Sequence, residues 1–162
     1  MIPLTTPNIE GFCDAVARSG LKLSLAESCT GGMIGCMITS VSGASSFFLG
    51  SAVTYSNESK ERILGVSRGS LIDHGAVSEA VAREMAEGSL KVYGSDIAAS
   101  VTGIAGPGGG TLEKPVGTVW MAVTDGRKTV AYENHFEGSR EEIRRLTAEV
   151  LMVRILEFIG SR

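Results

Sequence analysis

The sequence predicts a single α/β domain, a three-layer α/β/α sandwich with helices on both sides of a mixed sheet. Three observations carry this. Helix-like and strand-like segments alternate over the first hundred residues, the pattern that lays helices on a sheet. Asp125-Gly126 then stands between two apolar runs, a hairpin signal that closes the sheet with antiparallel strands. At 162 residues the chain is long enough to bury a real core and is most simply one domain, over residues 1–162.

Each element has a local reason. Residues 8–18 read as a helix closed by Gly20, the usual residue past a helix end. Leu21, Leu23 and Leu25 alternate with Lys22 and Ser24, a strand with one drier face. Residues 32–41 read as a helix that is apolar nearly all round and therefore buried. The run GSAVTYS (50–56) reads as a strand, with Asn57 as N-cap of a short helix ending at Gly65. Ser78 caps the helix EAVAREMAEGSLKVY, and DIAASVTG (96–103) is a central strand of small and apolar residues. Residues 117–124 and 128–136 form the hairpin. Ser139 and Glu142 make a capping box that opens a long helix, whose Ile143, Leu146, Val150, Val153 and Leu156 face the core.

Composition narrows the function classes. The chain is 43% apolar and 20% charged, as in an ordinary globular protein. It contains no run of about 18 uncharged apolar residues to span a membrane. Its start, MIPLTTPNIEGFCDAVARSG, lacks the basic and apolar regions of a secretory signal, so a cytoplasmic location is expected. Three cysteines, Cys13, Cys29 and Cys36, form no CxxC pair and fit reduced thiols. A net charge of −3 argues against a broad nucleic-acid face. His74 and His135, the only histidines, stand far apart without HExxH or paired cysteines, so no metal site is expected. His74 reads as a loop hydrogen-bonder.

The 21 glycines gather at junctions, notably Gly31-Gly32 and GIAGPGGG at Gly103 to Gly110. Both clusters follow a strand, and ligands of α/β sheets sit at strand C-terminal ends. In Ser28 to Gly32, a polar turn before a helix offers N–H groups and a positive dipole end to an anion, or Ser28 and Thr30 simply cap the helix. The loop TGIAGPGGG is longer and richer in glycine than a strand exit needs, so it reads as a backbone cradle or as a flexible loop. Neither the P-loop nor the dinucleotide fingerprint is present. Gly65-Val66-Ser67-Arg68-Gly69 fits GxSxG, yet a charged helical run precedes it where the nucleophile elbow needs a strand. Gly65 is instead a helix C-cap.

A base for Ser28 has two readings. Lys60, near a strand end with Tyr55, deprotonates serine if burial lowers its pKa, or it is a solvated helix lysine. Cys29 is either a rival nucleophile stabilised at a helix start or a small packed side chain. Arg140, beside Gly138 and Ser139, suits a phosphate or joins Arg144 and Arg145 on a solvated face.

The motifs AESCTGG, VTYSNESK, HGAVSE, SVTGIAGPGGG and KPVGTVW, in that order, resemble the C-terminal domain family of the competence/damage-inducible protein CinA, which includes stand-alone nicotinamide mononucleotide deamidases. The likeness runs from about Leu21 to Arg145, and nothing resembles the larger N-terminal domain of many CinA proteins, so the single-domain form is expected. The resemblance implies hydrolysis of nicotinamide mononucleotide to nicotinate mononucleotide and ammonia, in pyridine nucleotide salvage, without metal or cofactor. It implies Ser28, Tyr55 and Lys60 as the catalytic set and, less distinctively, Arg140 for the substrate. A homodimer, a small nucleotide as the partner, and no nucleic acid or membrane partner go with it. In the mechanism expected, Lys60, helped by Tyr55, takes the proton of Ser28. The oxyanion then lies at the Gly31-Gly32 helix start or the Thr102–Gly106 loop. Glu27 stands beside the cationic ring. Cys29, Thr30, Thr102, Gly103, Gly106, Gly108 and Arg140 complete the substrate site, with phosphate on the glycine-rich loop and Arg140. Two other readings compete: a non-catalytic nucleotide-binding module tied to competence or DNA damage, and an amidase or esterase using Cys29.

Overall fold

Five strands among the described residues form one sheet in the order β2-β1-β3-β4-β5. They are β1 (Leu23–Glu27), β2 (Phe48–Val53), β3 (Ile97–Gly103), β4 (Thr118–Thr124) and β5 (Thr129–His135). β1 lies parallel to both β2 and β3, while β4 runs antiparallel to β3 and to β5. The computed structural model describes residues 8–162; residues 1–7, which open the segment read as free of a secretory signal, lie outside the described residues.

Among the described residues six α-helices complete the three layers: α1 (Ile9–Ser19), α2 (Met33–Thr39), α3 (Asn57–Leu64), α4 (Arg68–His74), α5 (Glu79–Tyr93) and α6 (Arg140–Gly160). α1, α2 and α6 cover one face, where Phe12, Ile34, Ile38, Leu151 and Ile155 pack on Leu25, Val101 and Met121. α3, α4 and α5 cover the other, where Leu64, Leu71, Val81 and Met85 pack on Ala26 and Ala52. The caps fall where hydroxyl and amide side chains invite them. Asn8 Oδ1 accepts from Gly11 N at 2.7 Å and Ser78 Oγ from Val81 N at 3.3 Å. The capping box at α6 is closed both ways, Ser139 N donating to Glu142 Oε2 at 2.7 Å and Glu142 N to Ser139 Oγ at 3.3 Å.

Several expectations need correction. β1 has no wetter face: all five residues are buried, because strands flank it on both sides and helices cover both faces. Its Ser24 is accommodated by hydrogen bonds to Ser89 at 2.9 Å and Ser95 at 2.7 Å. α2 is shorter than expected and not buried all round; Ile34 and Ile38 form its inner stripe and Cys36 is exposed. Ser56 rather than Asn57 caps α3, its Oγ accepting from Ser59 N at 3.1 Å. α4 was not foreseen, and His74 is its last helical residue rather than a loop residue. Ser67 caps α4, while Gly65, at φ 69°, ends α3, so the GxSxG run is a pair of helix caps. On α6 the inner stripe holds Ile143 and Val153 as expected but also Thr147, Leu151, Ile155 and Phe158, with Leu146, Val150 and Leu156 only half-buried. Thr147 Oγ1 donates back to Ile143 O at 2.7 Å, which lets a polar residue occupy that stripe.

One glycine sets how closely α3 and α5 approach. A Cβ at Gly88 would meet the Leu64 backbone, with the carbonyl carbon at 2.8 Å. Gly88→Ala should therefore destabilise the protein by roughly 1–3 kcal/mol through overpacking. That outweighs the ~1 kcal/mol alanine gains in helix propensity. Urea denaturation of the variant against wild type measures it.

Candidate active site

The parallel strands β1, β2 and β3 end together, with Glu27 level with Val53 on one side and Val101 on the other. The segments that follow them therefore meet at one sheet edge, as the two glycine clusters implied. A cleft of about 200 Å³ opens there between Ser28, Cys29, Lys60, Tyr55, Thr102 and Arg140, with Ala76 and Val77 on its far wall. A wider hollow of about 410 Å³ beside His74, Ser78, Glu79 and Arg83 contains no nucleophile paired with a base. The smaller cleft is the candidate site.

Glu27 does not face this cleft. It is fully buried and turned into the start of α2. Its carboxylate accepts from Thr30 Oγ1 at 2.7 Å, Gly32 N at 3.1 Å, Ile34 N at 3.1 Å, Gly35 N at 2.9 Å and Ser51 Oγ at 2.8 Å. A carboxylate at a helix start satisfies the orphan N–H groups and the positive dipole end together. The N–H groups of Gly31 and Met33 are spent as well, on Ser28 O at 3.0 Å and Thr30 O at 3.1 Å. The Gly31-Gly32 helix start therefore offers nothing to a ligand, and Glu27 and Thr30 leave the list of substrate contacts. Gly32 has φ 93°, a left-handed turn that brings α2 back over Glu27.

Ser28 and Lys60 come together. Lys60 Nζ donates to Ser28 Oγ at 2.9 Å and to Thr54 O at 2.7 Å. Lys60 is only 1% exposed, and among the described residues it has no carboxylate partner. Burial holds its pKa below the ordinary lysine value, with the Cys29 thiol opposing weakly. The solvated-lysine reading is thereby replaced.

Cys29 lines the cleft as a thiol. It is buried, and desolvation, aided by the Glu27 charge, pushes its pKa up to about 11, opposed first by its own N–H and then by Lys60 and Arg144. At neutral pH the group is therefore held as the thiol, the weaker nucleophile.

The rim belongs to α6. Arg140 Nη1 donates to Gly106 O at 2.9 Å and Nη2 to Tyr55 Oη at 3.0 Å. Tyr55 is 62% exposed and is bonded to Arg140, not to Ser28 or Lys60. Arg144, read as part of a solvated face, donates instead to Thr30 O at 2.7 Å and ties down the turn that presents Ser28. Thr102 Oγ1 donates to Ala76 O at 2.9 Å and so anchors the far wall. Gly103 lines the cleft, but Gly108 is exposed on the loop beyond it and does not.

Sequence reasoning did not place Asn57, Ala76 or Val77 in the cleft, and it reached Ala105 only as part of the Thr102–Gly106 loop. The motifs VTYSNESK, HGAVSE and SVTGIAGPGGG contain them, so the signal was the motif and not the single residue. Among the described residues, no group of three or more His, Cys, Asp or Glu is placed to hold a metal, and no helix is long and apolar enough to cross a membrane.

Fold and cleft together define a three-layer α/β protein with a buried serine–lysine pair at the C-terminal ends of its parallel strands. The profile of the CinA C-terminal domain matches residues 7–159, and the chain belongs to that family. It is 56% identical over 130 residues to a CinA-like protein of Geobacter sp. (strain M21), covering 80% of this chain and 31% of that protein. It is 51% identical over 137 residues to a CinA-like protein of Syntrophomonas wolfei, covering 85% and 33%. The chain thus spans about a third of the length of the curated relatives it matches. Among solved structures it resembles the competence damage-inducible protein A (ComA) of Klebsiella pneumoniae, at TM-score 0.90 and 34% identity over 95% of this chain and 98% of that one. It also resembles the competence/damage inducible protein CihA of Agrobacterium tumefaciens, at 0.89 and 36% over 98% and 99%.

Two outcomes follow from this geometry. Glu27→Ala, which orphans five donors in the interior, should lose roughly 3–5 kcal/mol of stability in urea denaturation. Iodoacetamide at pH 7.5 should label exposed Cys36 and spare Cys29 and Cys13 in the folded protein, read by peptide mass spectrometry.

Proposed function

We propose that the cleft is an amidohydrolase site that converts nicotinamide mononucleotide and water to nicotinate mononucleotide and ammonia. The observation that carries this reading is the buried Lys60–Ser28 contact of 2.9 Å with no carboxylate to hold the lysine charged. A neutral lysine amine is a base, and a serine in hydrogen-bond reach is the nucleophile it activates. Thr54 O accepts one N–H of Lys60 and holds the amine beside Ser28, whose hydroxyl donates to Nζ once the amine is neutral.

Ser28 Oγ attacks the amide carbon while its proton passes to Lys60 Nζ. The oxyanion is held by the N–H of Cys29, the residue after the nucleophile, which donates to no other residue among the described residues. Such a donor is worth on the order of 3 kcal/mol of barrier. The C–N bond breaks as Lys60 returns its proton to the leaving NH₂, giving ammonia and an acyl-serine. Water, deprotonated by Lys60, hydrolyses that ester and frees Ser28. The cleft holds about 200 Å³, enough for the ring and its amide, so sugar and phosphate lie at the mouth. There Arg140 carries the positive charge that suits the phosphate, and Tyr55 orients Arg140 rather than moving a proton.

Ammonia release by the purified protein tests this reading. Ser28→Ala should cost on the order of 10⁴-fold or more in kcat, and Lys60→Ala about 10²–10⁴-fold. Turnover that survives Ser28→Ala, or a folded wild type without turnover, would sink it.

The lowered pKa of Lys60 sets two pH trends. Only the neutral amine is a base, so kcat/KM should rise with pH along a limb that lies below the ordinary lysine value of 10.5. Stability changes in the same direction. Between the folded and ordinary pKa values the unfolded chain binds more protons than the native one, so folding becomes more favourable as pH rises through that window. Lys60→Met lacks this dependence. The stability of wild type relative to Lys60→Met should climb from pH 7 toward pH 10, by thermal or urea denaturation.

A further inference from the structure

We infer that Asn57 is a specificity-determining residue of the cleft, its carboxamide hydrogen-bonding a sugar hydroxyl of the substrate while Ser28 attacks the ring amide and Arg140 holds the anion; this rests on the amidohydrolase reading. Asparagine at a helix start is ordinarily consumed by capping. Here Ser56 does that work, its Oγ accepting from Ser59 N at 3.1 Å. The Asn57 side chain, displaced one place into α3, enters none of the caps or hydrogen bonds of the described residues, and it lines the cleft.

Its level in the cleft selects the group it meets. Asn57 and Lys60 are three residues apart on α3 and share one face of the helix. Lys60 is buried at the floor with Ser28, whereas Asn57 is exposed at the mouth. One helical turn, about 5 Å, separates the two positions. A group bound at the level of Asn57 therefore belongs to the part of the substrate next to the ring and not to the reacting amide.

Chemistry then chooses between sugar and phosphate. Asn57 carries no charge and both donates and accepts, as a hydroxyl does. An anion would use only its NH₂ and leave its oxygen facing like charge. Arg140, already oriented by Gly106 O and Tyr55 Oη, is the cation at the same rim. The two residues divide the mouth between a neutral hydroxylated group and an anionic one.

Steady-state ammonia release from nicotinamide mononucleotide by wild type and Asn57→Ala tests the assignment, with inhibition by ribose 5-phosphate and by inorganic phosphate measured in parallel. One neutral hydrogen bond corresponds to roughly a three- to tenfold effect. Asn57→Ala should raise KM by that factor with kcat within twofold, and should weaken inhibition by ribose 5-phosphate but not by phosphate. The exposed side chain has no structural role to lose, so the thermal midpoint should match wild type. An unchanged KM, or a loss confined to kcat, overturns the inference while leaving the amidohydrolase reading intact. A wild type that releases no ammonia overturns both.

Discussion

The buried carboxylate of Glu27 gathers donors from the turn after β1, from α2 and from β2, and the layout of the cleft follows from that one charge. An uncompensated carboxylate in the interior is very costly, so its five donors must all be held in place, which fixes α2 against the sheet edge. The same bonds turn the positive end of α2 inward. Had residue 27 been apolar, the first-turn N–H groups would face a ligand and compete for any anion near Ser28. With Glu27 in place, that electrostatic pull is cancelled internally. Ser28 and Cys29 are left on the outer side of the turn, where they form part of the cleft wall.

Lys60 is the opposite case, a buried polar group whose surroundings are left unfavourable for its charge. A serine hydroxyl and one carbonyl are its partners, and neither compensates a positive charge as a carboxylate would. A Glu or Asp beside it would compensate the charge and keep the amine protonated, which removes the proposed base. The deficit is tolerated because the rest of the interior is well satisfied, from the apolar stripes of α1 and α6 to the serine pairs that accommodate Ser24. Strain of this sort at one place, offset elsewhere, is what a site under chemical constraint looks like.

Most of the fold was legible in the sequence because its signals are local. Asn8, Ser78 and Ser139 cap helices, glycines end them, and Asp125-Gly126 turns the hairpin, all within reach of their own neighbours. The misses are cases where a distant partner decides. Ser24 looked like the wet side of β1 until Ser89 and Ser95 arrived from α5 and the turn after it. Glu27 looked like a ligand for a cationic ring because the donors that consume it come partly from Ser51 on another strand. Asn57 looked like a cap because Ser56, one residue earlier, is an equally good one. Lys60 alone was ambiguous for a deeper reason: the six polar or charged residues around it from Ser56 to Arg62 say solvent, and only the packing of α3 on α5 says otherwise.

The capping box of α6 connects the local code to the cleft. Because Ser139 and Glu142 close on each other, the helix begins at Arg140 and nowhere else. Side chains of a helix lean toward its N-terminus, so an arginine at the first position reaches back over the preceding loop, here to Gly106 O and Tyr55 Oη. One turn later Arg144 falls on the same side and reaches Thr30 O. Moving the helix start by one residue would rotate both arginines by about 100°, away from the loops they hold. Two reciprocal bonds between side chain and backbone on the surface thus decide whether the glycine-rich loop and the Ser28–Thr30 turn are braced against each other. The reach of that brace is why the last helix, which contributes nothing to the Ser28–Lys60 pair, belongs to the site.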